Sequence, residues 1–135
     1  MVYITRKEHF SASHRLHNPD WSDEKNREVY GKCNNPNGHG HNYEIEVTVA
    51  GNPPEETGMV VDLKELSAVI TRDIIDKVDH KHVNLDVDFL QGIIPTAENL
   101  AVAFWQILNN NIQGGKLYAI KLHESDSNVV EYRGE

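Results

Sequence analysis

The sequence predicts an α+β domain with an antiparallel sheet and two helices packed on one face, in the order strand, strand, helix, helix, strand, strand. Three observations predict it: alternating apolar residues in two N-terminal segments, two helix-spaced apolar patterns in the middle, and two short apolar segments at the end. The length of 135 residues suits one domain spanning residues 1–135.

Two strands are predicted in the N-terminal third. Residues 4–16 form the first, with apolar or histidine side chains of one parity at Ile4, Phe10, Ala12, His14 and Leu16. The second follows a long loop, residues 18–40, rich in Asn, Asp, Pro and Gly and holding a short helix at residues 22–29. Its buried positions alternate with polar ones and are Tyr43, Ile45, Val47 and Val49.

The middle and the end of the chain predict two helices and a hairpin. Asp62 is placed to cap a helix reaching about Val78, and Thr96 to cap a second after a loop at residues 79–95. Residues 117–124 and 128–132 then form the hairpin. Four strands leave two open sheet edges, which must be covered, and a closed ring of subunits would cover them.

Composition excludes several classes of protein. Hydrophobic residues at 39% and charged residues at 25% are ordinary globular values, so disorder is not expected. Thirteen Lys and Arg against 21 Asp and Glu give a net charge of −8, which argues against nucleic-acid or anionic-membrane binding. Neither a signal peptide nor a membrane span is visible, and the single cysteine, Cys33, suits a reducing compartment, so the predicted location is cytoplasmic.

Three histidines are spaced to bind one metal ion. His39 and His41 are two residues apart on the second strand and therefore share a face, and His14 lies on the strand expected to pair with it. Three imidazoles without a fourth protein ligand are typical of a catalytic zinc site. Surface histidines are also common, and Cys33 as a fourth ligand would make the site structural; the spacing leaves both alternatives open.

Cys33 and an Asp-His pair are candidates for proton transfer. Cys33 lies in a polar loop beside Lys32, a setting that favours a reactive thiolate over a buried structural thiol. Asp79 and His80 have the composition of a base with its orienting carboxylate. Because adjacent residues rarely face each other, the pair is expected to reach a third group such as Cys33, although a polar helix exit explains it equally well.

Two carboxylates are candidates for ligand contacts. Glu124, at the end of an apolar strand, could accept paired N–H groups from a guanidine-like ligand edge, or could simply be a solvated charge. Glu98, in the first turn of its helix near Thr96, is most simply a partner of the helix dipole, with a ligand contact as the alternative.

Five segments carry a family resemblance that covers nearly the whole chain. They are Phe10–Leu16, the run GKCNNPNGHGHN at residues 31–42, Asp79-His80-Lys81, Thr96–Asn99 and His123-Glu124. In order and spacing they resemble the 6-pyruvoyltetrahydropterin synthases of the eukaryotic type. Five residues separate Cys33 from His39, as in that family. The related 6-carboxytetrahydropterin synthases place the cysteine three residues ahead of the histidine.

The resemblance implies a fold, an assembly and a reaction. The fold is the T-fold, whose sheets join in trimers to form a barrel, and two trimers stack into a homohexamer. The reaction eliminates triphosphate from 7,8-dihydroneopterin triphosphate to give 6-pyruvoyltetrahydropterin, on the route to tetrahydrobiopterin.

The resemblance also implies roles for the residues. Zn²⁺ is held by His14, His39 and His41; protons are transferred by Cys33, Asp79 and His80, which need not meet within one chain; the pterin is anchored by Glu124, with Thr96 and Glu98 in the pocket segment. Ala97 stands where some relatives have a second threonine, which leaves one pocket hydrogen bond in doubt.

Several alternatives stay open from the sequence. The candidates for contact with the triphosphate are Arg15, Lys25, Arg27 and Lys32, and the sequence does not choose between them. A sister activity on the same substrate would give 6-carboxytetrahydropterin or cleave the side chain. If the protein were a non-catalytic zinc-stabilised binding module, Cys33 would have no catalytic role. If it were a zinc hydratase or hydrolase, neither Cys33 nor Glu124 would have a role.

Overall fold

One sheet organises the protein, for which a computed structural model describes the whole chain, Met1–Glu135. Its strands are β1 (Val2–His14), β2 (His39–Gly51), β3 (Lys81–His82), β4 (Lys116–His123) and β5 (Val129–Tyr132). In the sheet they lie in the order β3-β1-β2-β4-β5. The helices are α1 (Asp23–Tyr30), α2 (Leu63–Ile70), α3 (Asp76–Val78), α4 (Val83–Asp86) and α5 (Ala97–Asn109).

The predicted antiparallel framework is confirmed. β1 pairs with β2, β2 with β4 and β4 with β5, each antiparallel. The sheet also has a fifth strand that the sequence did not predict, because β3 runs parallel to β1 beside Ala12 and Ser13. Two residues are too few to show alternation. The prediction of an unbroken loop over residues 79–95 was therefore wrong, since β3, α4 and a 3₁₀ turn at Asp88–Leu90 lie within it.

Two helices begin at the predicted caps, Asp62 and Thr96, and α1 has a cap of the same kind at Ser22. The side chains of Ser22, Asp62 and Thr96 accept hydrogen bonds from backbone N–H groups in the first turns of α1, α2 and α5. These bonds satisfy donors that the helix itself leaves free. The predicted helix to Val78 is one helical stretch in which a π turn, Thr71–Ile75, joins α2 to α3. None of the helices has the length and apolarity needed to cross a bilayer.

The two sheet faces differ in chemistry. One face and the helices α2 and α5 enclose a core of 24 buried residues, in which Phe10 stacks on Tyr43 and meets Phe104 of α5 edge to face. On the opposite face the hydroxyls of Thr5 and Thr48 lie 2.7 Å apart across β1 and β2. Burial of one face explains the alternation in the sequence, and both helices lie on that face as predicted.

The first strand ends earlier than predicted. β1 stops at His14, and Leu16 donates its N–H to the carbonyl of Cys33 at 2.9 Å instead of continuing the ladder with β2. The segment after His14 thus leaves the sheet and runs beside the 3₁₀ turn Gly31–Asn34. This early end brings the cysteine turn close to the histidine end of the sheet.

Candidate active site

The three histidines meet at one end of the core-facing side of the sheet. In the β1–β2 register His39 stands opposite His14, and His41 stands opposite Ala12. The three rings each offer a nitrogen, and these atoms all lie within 4.8 Å of one another. Antiparallel pairing of neighbouring strands therefore brings the predicted ligands together.

Hydrogen bonding leaves the correct ring nitrogen of His14 free for a metal. His14 Nδ1 donates to the carbonyl of Pro95 at 2.7 Å, so that Nε2 points at the group, 3.1 Å from Nε2 of His39. Two nitrogens bound to one tetrahedral zinc at 2.0–2.1 Å would lie about 3.3 Å apart. A carbonyl that fixes the tautomer of a ligating histidine is a usual feature of metal sites.

A buried orphan nitrogen shows that the group fits a metal. Nε2 of His41 is inaccessible to solvent and has no hydrogen-bond partner, while Oε1 of Glu124 lies 3.8 Å away. A buried polar atom without a partner is costly. A metal ion held by this nitrogen and the two opposite ones would remove that cost, and a three-histidine donor set suits Zn²⁺.

Burial favours the neutral form of His14 and His39. Desolvation lowers the pKa of His14 to about 4, and it also lowers the pKa of His39, with the other rings adding to the effect. A metal binds the neutral imidazole, so no proton has to be displaced from these two residues near neutral pH.

Gly38 allows the turn that places His39. Its φ of 76° lies in the left-handed region, and a Cβ there would come within 2.8 Å of Nε2 of His82 and 3.0 Å of the carbonyl oxygen of His14. Only glycine has no such atom. The chain can therefore turn closely over His14 and enter β2 with His39 opposite it.

Cys33 lies beside the histidine group in a cationic cavity. The cavity has a volume of about 640 Å³ and is lined by Cys33 and His39 together with cationic side chains and one acid: Arg15, Arg27, Lys32 and Asp23. Cys33 is half-buried and is not among the residues whose ligand atoms cluster for a metal. This arrangement favours a thiol beside the metal site over a fourth ligand.

Lys25 lies outside this cavity. Its ammonium sits 4.3 Å above the ring of Trp21. Of the four cations suggested by the sequence, the structure gathers Arg15, Arg27 and Lys32 around Cys33 and separates Lys25 from them.

Asp79 and His80 contact each other, contrary to expectation. Asp79 Oδ2 lies 2.9 Å from Nδ1 of His80, and Asp79 Oδ1 accepts the N–H of Ser11 at 2.9 Å. The Ser11 hydrogen bond is the main reason that the pKa of Asp79 lies below its usual value. The contact is possible because His80 has a φ of 61°, in the left-handed region, which lets its ring fold back.

The Asp-His pair and Cys33 do not share a cavity within the chain. The His80 side chain is 82% exposed and borders a second cavity, of about 360 Å³, with Ser11 and Asn42. Neither Asp79 nor His80 lines the cavity that holds Cys33. The expectation that the pair reaches Cys33 is therefore not met by one subunit alone.

The predicted ligand-binding residues have different surroundings. The side chain of Glu124 is only 22% exposed and faces His41, so it is not a solvated strand-end charge. Thr96 uses its hydroxyl to accept the N–H of Asn99 at 3.2 Å, which makes it a helix cap. Glu98 is exposed in the first turn of α5, where it matches the helix dipole.

Two residues near the site gave no signal in the sequence. Pro95 acts through its backbone carbonyl, which no side-chain pattern can reveal. Asn34 is one of several asparagines in a polar loop, yet only 4% of it is exposed and its side chain binds the backbone of Leu16. Only the tertiary structure distinguishes it from its neighbours.

Fold and site together define a small α+β protein in which three histidines are grouped as for a metal ion and one of them, His39, lines a cysteine-containing cationic cavity. The model of the family described as 6-pyruvoyl tetrahydropterin synthase matches residues 3–135. The chain belongs to this family.

Individual relatives agree with the family match. The chain is 50% identical to the 6-pyruvoyl tetrahydrobiopterin synthase of Poecilia reticulata, over 98% of this chain and 90% of the relative, and 45% identical to that of Homo sapiens, over 98% and 91%. Among solved structures, Caenorhabditis elegans 6-pyruvoyl tetrahydropterin synthase is similar with a TM-score of 0.94 and 38% identity, covering 99% of this chain and 96% of that one.

Proposed function

We propose that the chain is a zinc-dependent 6-pyruvoyltetrahydropterin synthase, which converts 7,8-dihydroneopterin triphosphate to 6-pyruvoyltetrahydropterin and triphosphate. The observation that carries the proposal is the three-histidine group, one member of which, His39, lines the cavity that holds Cys33 and three cations. The relatives named above support the reaction, and the donor set supports the metal.

Zinc would be held by His14, His39 and His41, and it would supply Lewis acidity toward the side-chain hydroxyls of the substrate. The chain's own contribution is to keep the ligands in place. The Pro95 carbonyl holds the His14 ring, and strand pairing holds His39 opposite it.

Cys33 is the proposed base. It removes a proton from the substrate side-chain carbon next to the pterin ring, and the ring imine delocalises the electrons left behind. Loss of triphosphate and tautomerisation then reduce the ring to the tetrahydro level while oxidising the side chain. Because the two changes balance within one molecule, no external oxidant or reductant is needed.

Asp79 and His80 are proposed to act at the site of a neighbouring subunit. The Ser11 N–H holds the Asp79 carboxylate, and this carboxylate holds the His80 ring, which is exposed and therefore available to a partner. The sheet edges at β3 and β5 support an assembly that covers them, for which the family resemblance suggests a homohexamer built from two trimers. A single thiol agrees with a cytoplasmic location.

Glu124 is proposed to anchor the pterin. Its carboxylate is largely sheltered from solvent beside His41, and a carboxylate can accept two N–H groups from the guanidine-like edge of the pterin. Replacing Glu124 by glutamine keeps the shape but removes the charge. We expect KM for the substrate to rise about tenfold, as for loss of a hydrogen bond to a charged group, with zinc content unchanged.

The Glu124→Gln prediction is checked by steady-state kinetics together with metal analysis. The exposed Glu55→Gln substitution is the matched control, because Glu55 lies in the turn after β2 and lines neither of the two cavities at the site. An unchanged KM in Glu124→Gln would show that this carboxylate does not contact the pterin.

The cations of the cavity are proposed to bind the triphosphate. Arg15, Arg27 and Lys32 surround the space next to Cys33, although the whole chain has a net charge of −8. Replacing Arg27 by alanine is expected to lower kcat/KM about tenfold, mainly through KM, since one charge-assisted contact is lost. Lys25→Ala is the control, because Lys25 lies over Trp21 outside the cavity. Equal effects of the two substitutions would place the triphosphate elsewhere.

The reaction itself is tested by product identification. Zinc-loaded protein is incubated with 7,8-dihydroneopterin triphosphate, and the pterin product and released triphosphate are identified by mass spectrometry. We expect 6-pyruvoyltetrahydropterin and one triphosphate per turnover. A 6-carboxy product or a cleaved side chain would assign the sister activity, and no turnover at full zinc occupancy would favour a binding module.

A further inference from the structure

We propose that Asn34 is a positioning residue that fixes the thiol of Cys33 relative to the metal ligand His14. The inference rests on the proposed function in one respect, the role of Cys33 as base. The hydrogen bonds that carry it are independent of that role.

The cysteine turn is attached to the segment that follows His14. The carbonyl of Cys33 accepts the N–H of Leu16 at 2.9 Å, and the side-chain amide of Asn34 donates to the carbonyl of Leu16 at 2.8 Å. Consecutive residues of the turn therefore occupy both backbone groups of Leu16. Leu16 is only two residues from His14, so the turn is tied close to the metal group.

Two more hydrogen bonds strengthen the attachment. The Asn34 amide also donates to Nδ1 of His17 at 3.0 Å, and its backbone carbonyl accepts Nε of Arg15 at 3.0 Å. Asn34 is 4% exposed, so water does not compete well for these bonds. Each of the three residues after His14 is thus bonded to the cysteine turn.

The segment that receives these bonds is itself fixed. The Asn84 side chain accepts the N–H of Arg15 at 2.9 Å and donates to its carbonyl at 2.8 Å. At the other end of the loop, His39 is held opposite His14 by strand pairing. Cys33 therefore lies in a loop that is anchored at both ends to the histidine strand.

Loss of the Asn34 amide would release the end of the loop nearest the thiol. A displacement of about 1 Å in a reacting group can cost roughly a hundredfold in rate, whereas the zinc ligands are held by other contacts. Asn34 therefore acts on proton transfer through the placement of Cys33, not through a contact of its own with the reacting carbon.

The experiment compares Asn34→Ala with wild type as zinc-loaded protein. We expect kcat to fall roughly 10- to 100-fold and KM to change less than threefold, with zinc content unchanged. With substrate deuterated at the side-chain carbon next to the ring, the isotope effect on kcat should increase, because slower proton transfer becomes rate-limiting. Partial unfolding would lower zinc content and active fraction together and leave the isotope effect as in wild type.

A control variant and a substitute variant complete the experiment. Asn111→Ala removes one side-chain hydrogen bond of a half-buried asparagine, to Asp73, away from the site, and it should leave all of these values unchanged. If Asn34→Ala does not fold, Asn34→Ser is used instead. Serine leaves a smaller cavity, but its hydroxyl is too short to reach the carbonyl of Leu16. A wild-type isotope effect or a kcat within twofold of wild type in the folded variant would overturn the proposal.

A measurement without turnover separates this proposal from the proposed function. Labelling of the half-buried Cys33 by a disulfide reagent should be at least threefold faster in Asn34→Ala, since the released turn exposes the thiol. An unchanged labelling rate overturns the role of Asn34. Faster labelling combined with full turnover in Cys33→Ala would confirm the positioning of the thiol and overturn its role as the base.

Discussion

Replacing Cys33 by alanine is expected to lower kcat by about 10²- to 10⁴-fold while the protein keeps its fold and its zinc, because a positioned base contributes that much to proton transfer. In the structure, the residues proposed to bind the metal are distinct from the residue proposed to transfer the proton. The metal group consists of three histidines, and Cys33 lies beside it in the cationic cavity. Alanine lacks only the sulfur atom of cysteine, and Cys33 is half-buried in a polar turn. The substitution is therefore expected to cost little stability.

The measurement is steady-state turnover normalised to zinc content. Thermal unfolding of wild type and variant checks that the comparison is between folded proteins. Equal loss of zinc in Cys33→Ala and His39→Ala would make the cysteine a ligand. Retained turnover with full zinc would remove Cys33 from the chemistry.

Replacing His39 by alanine is expected to have a comparably large effect through the metal. His39 is one of the three proposed ligands, and β1–β2 pairing places it opposite His14. Two remaining imidazoles bind zinc much more weakly than three, so we expect zinc to be lost on dialysis and turnover to fall below detection. His39 is preferable to His14 for this test, since His14 is 1% exposed and its loss would leave a cavity in the core.

His9→Ala is the matched control for His39→Ala. His9 lies on the same strand as His14 but is exposed on the opposite face of the sheet. Zinc content is measured by elemental analysis after dialysis, and turnover is measured with and without added zinc. Full zinc retention in His39→Ala would show that the metal is held elsewhere, and equal loss in His9→Ala would point to a general effect on folding.

The sequence alone determined the strands β1 and β2, the caps of the main helices and the grouping of the three histidines. These features depend on local rules: side chains alternate along a strand, neighbouring strands pair, and Ser, Asp or Thr caps the first turn of a helix. His39 and His41 share a face because they are two residues apart, and His14 joins them because β1 pairs with β2. The resemblance added roles that spacing could not give to Glu124 and Cys33.

The tertiary structure decided the contacts between segments distant in sequence. The two residues of β3 pair with β1 because α3 ends next to that strand. The carbonyl of Pro95 contacts His14, from which it is separated by 81 positions in the sequence. The Asn34 amide finds Leu16 because β1 ends early and its continuation lies against the cysteine turn. Hydrogen bonds to backbone groups have no side-chain pattern in the sequence. The sequence therefore shows the three histidines and the thiol, and only the fold shows what holds them in place.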